Sequence, residues 1–450
     1  MNTRTKTKDM TNGNCMWLII QFFLPILAGN FFQQFYSFVD SVIVGKGVGD
    51  NALAAVGNTG SVSFLILGFT IGLTGGLGIC ISQSFGAEDT EKLRKEITMS
   101  VWVCAGISIF VTAVSLAFMN RLFLFLQTPA SMMQDTLDYF RVILLGITVT
   151  IFNNFAMTML RSVGNSRIPL VAMILSSVVN VALDLLFVFP LGRGVTGAAE
   201  ATILSQVVSL LFCVGYIGTL KELLPRKKDW KIEWKILKRL TLTGLPIAFM
   251  NSVTAVGCMV LQYFVNGMGT GYVAAYAACT KICSLFQQAG NAVGLALLSF
   301  AGQNYGAGKI ERIRQGVRDG VILSILINIP LALAMLLLPE AMSSFMLTDQ
   351  TVISYTREYL MITGIAIFPL GWLFVFRNAC QGMGHTVLPM FSGVLEVALR
   401  FMMAILLVRR LHFRGIALSE ISAWIGAFFM LMMTFEWYYR KSMKKEQKYT

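Results

Sequence analysis

The chain has 450 residues, 56% of them hydrophobic and only 13% charged, about half the charged share of an ordinary soluble domain. Its net charge is +13, with eight cysteines and two histidines. These values exclude a soluble globular protein and point to the bilayer as solvent, where anionic headgroups and basic cytoplasmic loops account for the positive charge without a nucleic-acid partner.

Residues 1–15 read as a short basic cytoplasmic tail. Twelve apolar stretches follow, each long enough for the roughly 20 residues of a helical crossing. They cover 16–44, 52–82, 97–119, 137–159, 169–190, 197–219, 241–266, 273–301, 317–338, 354–376, 388–408 and 415–438. The first is too long for a signal-peptide core and lacks a small-residue cleavage pattern, so it is expected to stay. The prediction is an all-α membrane protein of twelve transmembrane helices in two pseudo-symmetric six-helix lobes. The lobes are 16–220 and 241–438, joined by a basic linker at 221–240 and closed by a tail at 439–450.

The two lobes are copies. SQSFGAEDTEKLRK from Ser82 returns as GQNYGAGKIERIRQ from Gly302, 220 positions later. At the same offset Ala54 and Ala55 answer Ala274 and Ala275, Gly164 answers Gly384, and Pro169 answers Pro389; Pro25 and Pro246 match after a one-residue slip. Such duplication predicts a binding site between the copies. Arg226, Lys227, Lys228, Lys231, Lys235, Lys238 and Arg239 crowd the linker, which the positive-inside rule makes cytoplasmic, together with both termini; Arg409, Arg410 and Arg414 are the exception. Gly68, Gly72 and Gly76, and Gly290 and Gly294, form small-residue seams for close helix packing.

Charges inside the spans carry the functional signal, because an ionised side chain near the bilayer centre costs at least about 2.5 kcal/mol. Asp40 lies in the first span, and Asn180 and Asp184 share one face of the fifth, being four residues apart. Thr202, on the sixth span, is close enough in sequence to join them. Two carboxylates and further oxygen donors suit Na⁺ or protons; the alternative is that Asp40 is merely wetted at the outer end of its span. The second copy has Leu261, Arg400 and Ala404 where the first has Asp40, Asn180 and Asp184. It carries Glu396 and Arg400 four residues apart, read as an ion pair, and Lys281, read as a buried cation of open role. His385 and His412 are distant, and the cysteines form no metal-type cluster; Cys279 and Cys283, on one helical face, read as packing residues. No GxxxxGK[ST] or GxSxG pattern occurs, and no nucleophile and base converge, so no catalytic or cofactor site is expected.

The two QSFGA and QNYGA echoes, FVDSVIVG around Asp40, RSVGNSRIP from Arg161, and LDLLFVF followed by GVTGAAEAT together resemble multidrug and toxic compound extrusion (MATE) transporters of prokaryotic type. The resemblance implies two lobes around a central cavity and antiport of cations against drugs. Asp40, Asn180, Asp184 and Thr202 match that family's amino-terminal cation-binding set. The seventh span offers Gln262 but no carboxylate, which departs from members with acidic ligands in the second lobe. Polar and soft residues within spans nominate Gln34, Tyr36, Asn153, Asn154, Met157, Met259, Gln262, Gln287 and Gln288 as cavity lining. The expected activity is H⁺- or Na⁺-coupled export of drugs, foremost amphipathic organic cations, by a monomer in the plasma membrane. The rivals are a flippase for lipid-linked oligosaccharides or lipids, which would want a more cationic cavity, and a membrane-embedded enzyme.

Overall fold

The computed structural model describes residues 7–125, 128–221 and 223–446. Residues 1–6 and 447–450 of the expected tails, and residue 222 of the expected linker, lie outside the described residues. The described chain is helical throughout its ordered elements: α1 (Cys15–Gly47), α2 (Asp50–Gly86), α3 (Thr90–Phe125), α4 (Ala130–Leu145), α5 (Ile147–Ser162), α6 (Arg167–Val188), α7 (Gly194–Gly218), α8 (Trp234–Asn266), α9 (Thr270–Gly306), α10 (Ile310–Leu337), α11 (Pro339–Ser344), α12 (Gln350–Gly382) and α13 (Val387–Glu446). A bilayer offers no water to the backbone, so each crossing must satisfy its amides internally, which is what these long helices do.

Among the described residues ten helices are long and apolar enough to cross a membrane, and the bent pair α4–α5 makes an eleventh. That pair covers the span expected at 137–159, and it bends by 48° at Gly146. A Cβ there would lie 2.2 Å from Cδ1 of Ile203, so the missing side chain lets α7 press into the bend. In α13 the expected spans 388–408 and 415–438 lie on either side of His412, whose φ of 48° and ψ of −126° break the helix.

The chain divides into two compact units. Unit 1 comprises Ala28–Gly244 with the described part of Met1–Lys8; unit 2 comprises Asp9–Leu27 and Leu245–Thr450. Residues 16–27, grouped with the first lobe on sequence, therefore fall with the second unit, and the division lies two residues beyond Pro25 inside α1. Within unit 1, α2 and α8 meet where a Cβ on Gly76 would lie 2.3 Å from the Gly244 Cα, the close approach that a small-residue seam permits. The linker is folded: a 3-10 turn at Lys227–Trp230 precedes α8, the Asp229 carbonyl accepts the Thr98 hydroxyl at 2.8 Å, and Arg239 pairs with the buried Glu96 at 3.1 Å. Within unit 2, Gly290 and Gly294 bring α9 against Phe374 and Asn378 of α12. Cys279 and Cys283 sit in a buried cluster with Leu261, Tyr359 and Ile416. The amino-terminal residues Met10, Cys15, Ile19, Phe22 and Phe23 pack into a cluster with Phe300, Cys380 and Phe435.

Candidate functional site

Two helices of unit 1 carry the acidic residues. On α6, Asn180 and Asp184 stack one turn apart and are 1% and 0% exposed. On α1, Asp40 is half-buried and its carboxyl lies within hydrogen-bonding reach of the Asp184 carboxyl. One turn beyond Asp40, Val44 packs with Ala52, Val195 and Ala198, and Tyr139 of α4 packs against the same cluster, which pins the end of α1. Tyr36, one turn before Asp40, and Tyr139 both lie in the field of the two carboxyls.

This arrangement leaves donors and acceptors unmatched. Oδ1 of Asp40, both carboxyl oxygens of Asp184 and both amide atoms of Asn180 are buried with no hydrogen-bond partner among the described residues. Buried polar atoms are nearly always paired, and each orphan costs about 1–3 kcal/mol. Two facing carboxylates offer each other only acceptors and repel when both are ionised, so a proton or a univalent cation bridging them relieves both penalties at once. Asn180 Oδ1 adds a hard oxygen of the kind Na⁺ favours.

The other sequence candidates scatter. Thr202 on α7 is half-buried; its carbonyl accepts the Ser205 hydroxyl at 2.8 Å, and no hydrogen bond joins its own hydroxyl to the acidic pair. Asn153 and Met157 on α5 are each 7% exposed, Asn153 has an unpartnered Oδ1, and Gln34 and Asn154 are half-buried. These belong to unit 1, whereas Met259, Gln262, Gln287 and Gln288 belong to unit 2. Gln262 donates to Asn266 Oδ1 at 2.7 Å, Met259 is exposed, and the two neighbouring glutamines are half-buried. Lys281 corrects the sequence reading: it is exposed, because α9 buries its other face through Ala278, Cys279, Ile282 and Cys283.

Unit 2 holds its own buried charges. Glu396 pairs with Arg400 at 3.5 Å, as the four-residue spacing suggested, and more closely with Arg377 of α12, which also donates to Ser392 at 3.2 Å. The Tyr359 hydroxyl donates to Glu420, which lies in the field of Arg400. Sequence reasoning missed Arg377, Glu420 and Tyr139. Arg377 left a signal, a lone arginine in the apolar run FVFRNAC; Tyr139 left none, since a tyrosine in a span is commonplace.

The MatE family profile matches residues 25–186 and again 246–406, one match in each copy of the repeat. A relative described as "Probable multidrug resistance protein YpnP" from Bacillus subtilis strain 168 is 31% identical over 311 residues, covering 68% of this chain and 69% of its own length. "Probable multidrug resistance protein YoeA" from the same strain is 25% identical and is matched over 95% of its length, with 96% of this chain covered. Among solved structures, one described as "Crystal structure of MATE in complex with MaL6" superposes with a TM-score of 0.91 at 22% identity, over 97% of this chain and 99% of that one, a likeness of fold.

Proposed function

The chain belongs to the MatE family, and on that premise we propose that it is a cation-coupled efflux antiporter of the plasma membrane that exports amphipathic organic cations by alternating access. The relatives described as multidrug resistance proteins support the export of drugs. The observation that carries the coupling is the pair of facing carboxyls, Asp40 and Asp184, with buried oxygens that have no hydrogen-bond partner among the described residues.

In this reading a proton or Na⁺ entering from outside bridges Asp40 and Asp184 and removes their mutual repulsion. Asn180 supplies a neutral oxygen, and the tyrosines Tyr36 and Tyr139 border the site. Filling the site favours one arrangement of α1, and Pro25, which interrupts that helix's hydrogen-bond ladder, gives the helix a place to bend. Cation and drug drive exchange only if they prefer opposite states, because each shifts the equilibrium by its difference in affinity and no more. The basic linker and termini face the cytoplasm, and the inside-negative potential favours capture of a cationic drug. A flippase for lipid-linked oligosaccharides would want an uncompensated cationic centre; Arg377 and Arg400 instead pair with Glu396, and Glu420 also lies in the field of Arg400.

Vesicles reconstituted with the protein and given an H⁺ or a Na⁺ gradient separately test the proposal. One of the two gradients is expected to drive uptake of a cationic dye, and Asp40→Asn to abolish it at unchanged protein level. Dye movement indifferent to both gradients would sink antiport, and full activity in the variant would remove Asp40 from it.

A further inference from the structure

Unit 2 contains a cavity of about 590 Å³ between the start of α10, the end of α12 and the end of α13. Its polar and apolar linings are segregated along α10. Glu311, Arg314 and Arg318 occupy the first turns and recur on one stripe, while Val321 and Ile322 follow one turn deeper, where Phe376 and the fully buried Phe435 close the wall. From Glu311 to Ile322 the stripe is about 16 Å long. Arg314 makes a loose pair with Glu436 at 3.7 Å and lies 5.1 Å from the ring of Tyr439. Glu311 and Arg318 are exposed and have no hydrogen-bond or ion-pair partner among the described residues. Next to the rim, Trp437 is 53% exposed beneath Lys441, whose ammonium is 5.0 Å from the ring, an aromatic and basic pairing typical of the bilayer boundary.

A groove that is charged at its outer end and apolar below it has the layout of a phospholipid standing on end. The rim decides which phospholipid. It carries both signs within one helix stripe, so a headgroup that carries both signs meets an opposite charge at each end. We propose that this groove holds a lipid with a phosphoethanolamine headgroup, its phosphate on Arg314 and Arg318, its ammonium on Glu311, and its acyl chain against Val321, Ile322 and Phe376. Guanidinium groups grip phosphate oxygens through paired N–H donors, and an ethanolamine ammonium gives three N–H donors to a carboxylate. A choline headgroup has no such donor. A glycerol headgroup has no positive charge and would leave Glu311 facing phosphate alone.

Native mass spectrometry of the full-length protein in detergent, offered phosphatidylethanolamine, phosphatidylcholine and phosphatidylglycerol of matched acyl chains, tests this. Phosphatidylethanolamine is expected to be retained in preference to both others, and Arg318→Gln and Glu311→Gln each to lower its retention about fivefold with the melting temperature unchanged. Phosphatidylcholine retained as well as phosphatidylethanolamine would show that the amine is not read, phosphatidylglycerol retained better would show that only the arginines act, and unchanged retention in the variants would place the lipid elsewhere. Each of these results overturns the proposal.

Discussion

Replacing Asp184 by asparagine is expected to make the protein more stable and inactive at once. Asp184 is 0% exposed, and both of its carboxyl oxygens lack a hydrogen-bond donor. An asparagine of the same shape brings an N–H₂ to the place where the Asp40 carboxyl lies within hydrogen-bonding reach. Two charges about 4 Å apart repel by about 4 kcal/mol at an effective dielectric of 20. A hydrogen bond to a charged acceptor contributes about 1.5–3 kcal/mol. Because the wild-type pair is relieved in part by whatever proton or cation it holds, the smaller figure is the safer expectation, a gain of about 2 kcal/mol. The assay is thermal unfolding of purified protein in detergent beside dye efflux from cells. The melting temperature is expected to rise and efflux to fall to the level of cells without the protein. A variant that melts below the wild type would refute the account of two acceptors in conflict, and a variant that melts higher but still pumps would separate the pair from transport.

Two further predictions rest on geometry outside that pair. Arg377→Met leaves the buried Glu396 with only the 3.5 Å contact to Arg400, and should cost about 3–5 kcal/mol in the same unfolding assay. At the amino terminus, burial pushes the Asp9 carboxyl up, but the backbone amide and hydroxyl of Thr11, the side-chain amide of Asn12 and the charge of Lys309 outweigh burial and hold it below the usual carboxylate range. A carboxyl depressed in the folded state contributes stability above its unfolded value, near about pH 4, and loses it as pH falls through the folded value. Asp9→Asn should therefore lower the melting temperature at pH 7, by an amount that shrinks as pH falls below about 4.

How much of this was written in the sequence depends on the kind of residue. The spans were legible because a bilayer demands long apolar runs, and Asp40, Asn180 and Asp184 were legible because charge and amide inside such runs are expensive. The bend at Gly146 was not, since it depends on Ile203 of another helix filling the space of a missing side chain. Lys281 was misjudged because position along a span says nothing about which face looks outward. Tyr139 joins the acidic pair only through the packing of α1, α4 and α7, which no local pattern announces. Glu396 and Arg400 were visible as a four-residue spacing, while Arg377 reaches Glu396 across 19 residues of chain.

The division of α1 between the two units also sets a timetable. Met10, Cys15, Ile19, Phe22 and Phe23 pack with Phe300, Cys380 and Phe435, and the rest of their unit begins only at Leu245. A ribosome adding about 5–20 residues per second needs roughly 10–45 s to travel from Leu27 to Leu245, and longer to reach Phe435. Through that interval the leading half of the first helix is inserted but has no permanent neighbours. The last helix to emerge completes the packing of the first, and a nascent chain stopped at Gly244 would hold a whole unit 1 with an orphaned leading segment, a form that membrane quality control has ample time to meet.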